Sequence, residues 1–314
     1  MVEVSIIIVC MDRPDILYPC LSSIIAHTTV SYEIIVTAYM FSEKHLRQAR
    51  ADFPDVIWVE SREARGFAEN NNLAIAKASG EFCFILNDDT ELHEDVIGTL
   101  VKDFSILPGN TAAVGPRLLN TDGSLQLAGL PEMTAWRYIL ERFHLYKPHK
   151  DDTAGRIPDI GSIYSTSGLC GAAFLIRTDT LKELGCLDER FFFTPEDIAL
   201  CAKARKAGFG IYCDTSVSVV HKWHATASAI SAATKPAAMR GTLIHLSGES
   251  SFKYMLLAIP TFIAESAKLI KALPARHSSP EAALRFMIYK NNCASIFTHK
   301  SPKELFIREL RKMF

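Results

Sequence analysis

The sequence lacks paired cysteine motifs. Its eight cysteines are scattered and none forms a CxxC pair, which argues against a zinc ribbon. Several lie in apolar runs, as in Ile8-Val9-Cys10, where a thiol behaves as a small hydrophobe. Reduced, buried cysteines are typical of a cytoplasmic protein, and this is the location that we expect.

The chain also lacks an excess of charge of either sign. It carries 34 basic and 35 acidic residues, for a net charge of -1. A general nucleic-acid binder would show a basic excess, so no nucleic-acid partner is expected. The segment Val4–Cys10 is too short, and lacks the basic leader, for a signal peptide.

Long uninterrupted apolar segments are missing as well. The most apolar stretch, residues 252–270, is interrupted by Lys253, Pro260, Glu265 and Lys268. A spanning helix needs roughly 20 mainly apolar residues, so a full membrane crossing is not expected. With 314 residues, of which 48% are hydrophobic, the chain can still bury a large core.

The first half alternates strand and helix patterns. Buried strands are predicted at 4–10, 32–38, 56–59 and 81–86, and helices at 16–26, 42–51 and from Gly66 to about Ala78. This alternation predicts a parallel sheet covered on both faces. Ligands bind beyond the carboxyl ends of such strands, and Asn87-Asp88-Asp89 follows the fourth strand directly.

The second half has fewer clear elements. Strands are predicted at 112–115, 168–176, 208–213 and 217–221, and helices at 178–184 and from Pro195 through Lys206. Residues 131–165 give no assignment. From about Ile230 the sequence is alanine-rich, with helical character and no strand pattern.

The acidic turn after the fourth strand has two interpretations. Oxygen-rich side chains at a strand end suit Mg²⁺ or Mn²⁺, which a departing diphosphate requires. Alternatively, the turn caps a helix that starts near Glu91, since Asp and Thr are favoured at such positions. The spacing alone leaves both open.

Three further candidates each have a structural alternative. Glu196 and Asp197 are either first-turn acids favoured by the helix dipole or carboxylates placed for general base catalysis. His221 is a structural histidine unless it converges on Asp89, where it suits Mn²⁺. The Arg65-Gly66-Phe67 segment either approaches a phosphate or simply begins a helix with a polar Asn70–Asn72 face.

Taken together, these segments resemble the family 2 glycosyltransferases, in particular the rhamnosyltransferase-like branch. The similar stretches occur in the family's order and span about residues 3–228: SIIIVCMDRPD, YEIIV, GFAENNNLAIAKASGEF, LNDDTEL, GPRLLNTDGSLQ, CGAAFLIR, LGCLDERFF and PEDIALC. The resemblance implies an α/β GT-A fold with a Rossmann-like, mixed but mainly parallel sheet and helices on both faces. It divides the chain into a nucleotide-binding part (about 1–115), an acceptor-binding part (about 116–229) and a helical C-terminal region (230–314).

The resemblance also implies roles for individual residues. Asp89, with His221, matches the metal ligands, and Asp88 matches a contact to the ribose or donor sugar. Asp197 matches the general base of inverting members, with Glu196 as its neighbour. The remaining matches are to donor-nucleotide contacts: Val9, Asp12, Arg13 and Arg65.

Four positions depart from the family pattern. Ala38 stands where an Asp usually bonds the base, Asp12 where Asn is usual, Ala64 where Asn often precedes Gly66, and Ala199 where a second Asp commonly follows Asp197. The metal and base-catalysis positions are retained. The departures put the identity of the nucleotide base in question.

The C-terminal region has two interpretations. Phe252, Leu256, Leu257, Phe262 and Ile263 could form one face of a helix that packs on the catalytic domain or on a second subunit. Alternatively, that helix is interfacial and brings the site to a lipid-linked acceptor at the inner face of the membrane. The basic terminus at Arg308, Arg311 and Lys312 agrees with an anionic surface.

The function expected from the sequence is inverting transfer of a hexosyl or deoxyhexosyl group, with Mn²⁺ or Mg²⁺, from a nucleotide-diphosphate sugar to a saccharide or lipid-linked saccharide hydroxyl. Cell-surface polysaccharide synthesis is the expected setting. The alternative is an inert binding or assembly subunit on the same fold, motivated by Ala38, Ala64 and Ala199. A nucleotidyltransferase is disfavoured because Cys10–Asp15 contains no glycines for a triphosphate loop.

Overall fold

The computed structural model describes residues 2–147, 158–222 and 230–312. The N-terminal part alternates strands and helices as predicted. Buried β-branched residues make up the centre of its first strand, since Ile6, Ile7 and Ile8 are fully buried. The elements in order are β1 (Val4–Met11), α1 (Pro14–His27), β2 (Tyr32–Tyr39), α2 (Glu43–Asp52), β3 (Ile57–Ser61), α3 (Phe67–Ile75) and β4 (Phe82–Asn87).

The helix predicted near Glu91 is wrong. Residues 90–92 form a short strand, β5 (Thr90–Leu92), and α4 (Val96–Ile106) begins only after Asp95. The Asp95 carboxylate accepts a hydrogen bond from the amide of Gly98 at 3.0 Å and so caps α4. The acids of the Asn87–Asp89 turn therefore do not cap a helix there.

The middle of the chain differs from the prediction in two places. The strand predicted at 168–176 is two strands, separated by residues 170–172, and the two strands predicted at 208–213 and 217–221 are one. A bulge between Asp214 and Ser218 interrupts that long strand, which explains the break in its sequence pattern. The elements are β6 (Thr111–Leu119), β7 (Gly129–Leu130), α5 (Ala135–Arg142), β8 (Ile163–Ser165), β9 (Gly168–Leu169), β10 (Ala173–Arg177), α6 (Thr178–Glu183), α7 (Glu196–Lys206) and β11 (Gly210–His221).

One sheet of nine strands runs through the described part of the chain. Its order is β3-β2-β1-β4-β10-β6-β11-β5, with β8 paired to β11. Strands β1, β2, β3, β4, β6 and β11 point the same way, and β5, β8 and β10 are antiparallel to their neighbours. The predicted mixed, mainly parallel sheet is confirmed. The carboxyl ends of β1 and β4 lie side by side, and this is where the acidic turn emerges.

The C-terminal region is helical, as predicted. It comprises α8 (Ser231–Ser247), α9 (Ser251–Ala272), α10 (Pro280–Ile296) and α11 (Pro302–Leu310). Helix α8 approaches the loop before α7 closely at Gly241, where a β-carbon would lie only 2.8 Å from the carbonyl oxygen of Thr194. The boundary predicted at residue 229 lies outside the described residues. Among the residues that are described, none of the helices is sufficiently long and apolar to cross a membrane.

Candidate active site

A cavity of about 310 Å³ opens at the carboxyl ends of β1 and β4. Its walls come from the ends of β1, β2 and β4, from the start of α3, from the loop before α7 and from two C-terminal helices. Its lining residues are Val9, Met11, Tyr39, Arg65, Gly66, Phe67, Asn70, Asn87, Asp88, Asp89, Phe192, Phe193, Thr194, His221, Ile230, Thr234 and Phe306. The cavity thus has the position that the sheet topology predicts for a ligand site.

Asp89 and His221 meet in this cavity. Antiparallel pairing of β5 with β11 places Thr90 opposite His221, so Asp89, which precedes Thr90, lies next to the histidine. The distance from Asp89 Oδ1 to His221 Nε2 is 3.2 Å, and both residues are more than nine-tenths buried. The convergence on which the ligand interpretation of His221 depends is therefore present.

Gln126 holds the other side of the His221 ring. Its Oε1 lies 2.8 Å from His221 Nδ1, and its amide nitrogen lies 2.6 Å from the carbonyl oxygen of His221 and 2.8 Å from Asn120 Oδ1. Because the amide group donates to two carbonyl oxygens, its oxygen faces the ring and accepts a hydrogen bond from Nδ1–H. The Nε2 atom is then the one that faces Asp89.

This arrangement brings two electron-rich atoms together. An unprotonated Nε2 and a carboxylate oxygen at 3.2 Å repel each other unless a proton or a cation lies between them. Within the described residues, Asp89 and His221 form a pair and not a cluster of three or more His, Cys, Asp or Glu side chains. The pair therefore fits a divalent cation that takes its remaining ligands from a bound molecule.

Asp88 also lines the cavity and is buried beside Cys10. Burial raises the pKa of Asp88 to about 7; the Cys10 hydrogen bond lowers it and the negative charge of Asp89 raises it. Val9, at the end of β1, lines the same wall. Val9 and Asp88, which were predicted to contact the donor, thus line the same cavity as the predicted metal ligands Asp89 and His221.

The other predicted donor contacts divide into two groups. Arg65 lines the cavity and is held by Glu63 at 2.8 Å. Asp12 and Arg13 do not line it: Asp12 Oδ1 lies 2.8 Å from His45 Nδ1, and Arg13 pairs with Asp15 at 2.7 Å. A donor role for Asp12 and Arg13 stays a prediction.

Asp197 lies at the start of α7 and is held by backbone amides; neither it nor Glu196 is among the residues that line the cavity. Its Oδ2 accepts a hydrogen bond from the amide of Gly171 at 2.8 Å, and its Oδ1 accepts one from Ile198 at 2.7 Å. A β-carbon at position 171 would lie 3.2 Å from Asp197 Oδ2, so glycine permits this close approach. Burial raises the pKa of Asp197, and the two amide donors act in the opposite direction.

Glu196 is the more deeply buried member of the pair, with 4% of its surface exposed. Burial raises the pKa of Glu196 to about 8, and the charge of Asp197 acts in the same direction. Both carboxyl groups therefore have raised pKa values, with burial as the main cause.

Adjacent peptide groups connect the two acidic sites. Gly171 donates to Asp197, and the carbonyl of Ala172 accepts from the amide of Asn87 at 2.9 Å. Burial raises the pKa of the Cys170 thiol to about 12, and the nearby carboxylates of Asp197 and Asp89 act in the same direction. The segment between β9 and β10 therefore fixes Asp197 relative to the turn that carries Asp89.

Several lining residues were missed by the sequence analysis. Tyr39 follows Ala38 at the end of β2, so its position could have been inferred from the strand. Ile230, Thr234 and Phe306 come from the helical C-terminal region, and nothing in their sequence indicated a place in the cavity. Gln126, which holds His221, lies within the GPRLLNTDGSLQ segment but carried no predicted role.

A sequence model described as glycosyltransferase like family 2 matches residues 2–239. The chain belongs to this family. The resemblance to family 2 is therefore confirmed, and the predicted GT-A fold is confirmed by the solved structures described below. The match ends in α8, so most of the C-terminal helical region lies beyond it.

Two curated relatives of this chain are named for glycan synthesis. It is 25% identical over 241 residues to the O-antigen biosynthesis protein RfbC of Myxococcus xanthus, covering 72% of this chain and 18% of that protein. It is 24% identical over 189 residues to the low-salt glycan biosynthesis hexosyltransferase Agl10 of Haloferax volcanii, covering 57% of this chain and 56% of that protein. The chain thus spans about a fifth of the length of RfbC and little more than half of the length of Agl10.

Solved glycosyltransferases share the fold. GalNAc-T7, in complex with UDP, GalNAc and Mn²⁺, superposes with a TM-score of 0.57 at 15% identity, covering 99% of this chain and 57% of that one. The mannosyltransferase PcManGT of Pyrobaculum calidifontis, in complex with GDP-Man and Mn²⁺, gives a TM-score of 0.56 at 15% identity, with 99% and 86% covered. At this identity the likeness establishes the fold alone.

Proposed function

We propose that this glycosyltransferase transfers a hexosyl or deoxyhexosyl group from a nucleoside-diphosphate sugar to a saccharide hydroxyl, with inversion and with a divalent cation. The observation that carries the proposal is the pairing of Asp89 Oδ1 with His221 Nε2 at 3.2 Å in the wall of the cavity. The Mn²⁺ complexes of GalNAc-T7 and PcManGT support it by analogy of fold.

Asp89 and His221 would hold the cation, Mn²⁺ or Mg²⁺, whose chemistry is to offset the negative charge of the departing diphosphate. The hydrogen bond from Nδ1 to Gln126 directs Nε2 towards the cavity and fixes the ring. Val9, Arg65 and Asp88 line the cavity around this pair and would bind the donor nucleotide and sugar.

Asp197 would act as the general base. Its carboxylate takes the proton of the acceptor hydroxyl while that oxygen forms a bond to the anomeric carbon. The bond from the anomeric carbon to the diphosphate breaks, and its electron pair leaves with the nucleoside diphosphate. Glu196 precedes Asp197 at the start of α7, and burial raises the pKa of its carboxyl group to about 8.

The acceptor class follows from the relatives. RfbC and Agl10 are named for O-antigen and glycan synthesis, and both support a saccharide or lipid-linked saccharide acceptor in polysaccharide synthesis. We further propose that the enzyme works in the cytoplasm, at the inner face of the membrane where such an acceptor is attached.

An Asp197→Asn substitution tests the mechanism. We expect transfer to fall by roughly a hundredfold or more, because general base catalysis contributes about that much, while donor binding stays within about twofold. Asp188→Asn is a matched control, because it makes the same change from carboxylate to carboxamide at a residue that pairs with Arg190 at 2.6 Å and has no proposed role. Retention of most of the activity by Asp197→Asn would exclude this base and favour a binding role for the site.

A further inference from the structure

The outward face of α9 is apolar along its length. Large apolar side chains on this face are 38% to 73% exposed: Phe252, Met255, Leu256, Ile259, Phe262, Ile263 and Ile270. From Phe252 to Ile263 they have the i, i+3, i+4, i+7 spacing of one helix face, and Ile270 lies two turns further along it, so they form one stripe on a helix of 22 residues, about 33 Å long. An exposed stripe of this size is typical of a binding surface.

The opposite face of α9 is the one that packs on the protein. Leu257, Ala258, Thr261 and Ala264 are buried there, against α5, α8 and α10. The sequence predicted that Leu257 shares one helix face with Phe252, Leu256, Phe262 and Ile263. That prediction is wrong for Leu257, which lies on the buried side of α9. The remaining four members, Phe252, Leu256, Phe262 and Ile263, are exposed.

The charged residues of α9 and of the segments beside it are mainly basic. Residues 249–300 contain seven Lys and Arg against three Glu, whereas the whole chain has a net charge of -1. One of those acids, Glu265, is 1% exposed and is held by Lys268 at 2.7 Å and Asn292 at 2.8 Å. The exposed charges of α9 are therefore the cations Lys253 and Lys271, near its two ends.

We propose that this face of α9 binds the surface of an anionic lipid bilayer. An apolar stripe flanked by lysines is complementary to acyl chains beneath anionic headgroups. A second copy of the chain fits less well. In a symmetric dimer the apolar stripes of the two copies would face each other, and Lys253 and Lys271 of one copy would lie near the lysines of the other. Helix α9 lies in the bilayer interface and does not cross it, since Pro260, Glu265 and Lys268 interrupt its apolar sequence.

Bilayer binding would place the catalytic part of the chain at the membrane surface. Helix α9 packs on α5, where Arg142 lies 3.8 Å from buried Glu265 and Tyr138 shares a core cluster with Leu257. The inference holds whichever sugar the active site transfers. A lipid-linked acceptor, as in the proposed function, would be concentrated at the same surface.

Vesicle binding by the full chain tests the proposal. We expect sedimentation with vesicles of phosphatidylcholine containing about 30% phosphatidylglycerol, weaker binding to pure phosphatidylcholine, and weakening by salt. The double substitution Ile259→Glu/Ile263→Glu should reduce the partition coefficient roughly tenfold or more. Lys253→Gln and Lys271→Gln should each reduce it by roughly fivefold on anionic vesicles.

Ile25→Glu and Ile106→Glu are matched controls, because these isoleucines are 53% and 58% exposed on α1 and α4, against 49% and 55% for Ile259 and Ile263. Circular dichroism and donor turnover without vesicles should be unchanged in all variants. The proposal is overturned if the wild-type chain does not bind anionic vesicles or if the control variants lose binding equally. It is also overturned if sedimentation velocity shows a dimer that Ile263→Glu dissociates while vesicle binding is unaffected.

Discussion

His221 Nε2 lies 3.2 Å from Asp89 Oδ1, while its other ring nitrogen is held by Gln126. A proton or a cation between the two atoms would relieve their repulsion, and in the proposed function a divalent cation does so. The contribution of Gln126 can be measured separately, since Gln126 contacts the ring and does not line the cavity.

Gln126→Leu should weaken Mn²⁺-dependent binding of a nucleoside diphosphate by roughly ten- to a hundredfold, because the histidine loses the partner that fixes its ring. Calorimetric titration with and without Mn²⁺ measures this. Gln48→Leu is the control, since Gln48 is exposed on α2 and bonds only to Asp52 at 2.8 Å among the contacts described. An unchanged Mn²⁺ dependence in Gln126→Leu would contradict the assigned role.

The start of α3 is packed against the loop before α7 at Gly66. A β-carbon there would lie 2.5 Å from the carbonyl oxygen of Phe192, which accepts a hydrogen bond from the amide of Phe67 at 2.9 Å. Gly66→Ala should therefore displace a wall of the cavity and raise the donor KM severalfold. A β-carbon at Gly109 would meet no atom within 4 Å, so Gly109→Ala should leave the donor KM unchanged. Equal KM values for the two variants would show that this contact does not shape the site.

Phe306 brings the C-terminal region into the cavity. Its ring stacks on Phe192 with centroids 4.3 Å apart, and the neighbouring Lys303 pairs with Glu69 of α3 at 2.7 Å. Phe306→Leu should raise the donor KM more than it lowers kcat, because it removes a wall and no reacting group. Phe297→Leu, at a ring 48% exposed, is the control. A pure loss of kcat would argue against a binding role.

A buried carboxyl group on α4 predicts a pH dependence of stability. Asp103 is 6% exposed, and burial raises its pKa from 3.8 to about 7, with neighbouring Asp214 acting in the same direction. The folded state therefore binds a proton that the unfolded chain has released, so the stabilisation is full below pH 3.8 and is lost as the pH rises through about 7.

Urea titrations across that pH range should show the free energy of unfolding falling less steeply in Asp103→Asn than in the wild type. The carboxamide stays neutral at every pH. Asp52→Asn, at an exposed carboxylate, should leave the slope unchanged. An identical slope in the two proteins would contradict a raised pKa for Asp103.

Strands such as β1 and β4 were predictable because each is a short, continuous apolar run, which is the pattern of a parallel strand buried on both faces. Val4–Met11 and Phe82–Asn87 needed no tertiary information. The helix expected near Glu91 failed for a tertiary reason, since residues 90–92 pair with the end of β11. No local pattern reveals that distant partner.

The site was predictable where its residues lie at strand ends or in family motifs, as Asp89 and His221 do. It was not predictable where α8 and α11 fold back on the cavity, because the positions of Thr234 and Phe306 depend on packing between distant segments. The same limit applies to Leu257, whose side on α9 is set by contacts with α5 and α8.

The most direct test of the central claim is release of free nucleoside diphosphate from a panel of nucleotide sugars, measured with Mn²⁺ and with a chelator. The proposed function predicts release from at least one donor with Mn²⁺, and its loss with the chelator and in Asp89→Ala and His221→Ala. Release that is equally fast with the chelator and in both variants would contradict it.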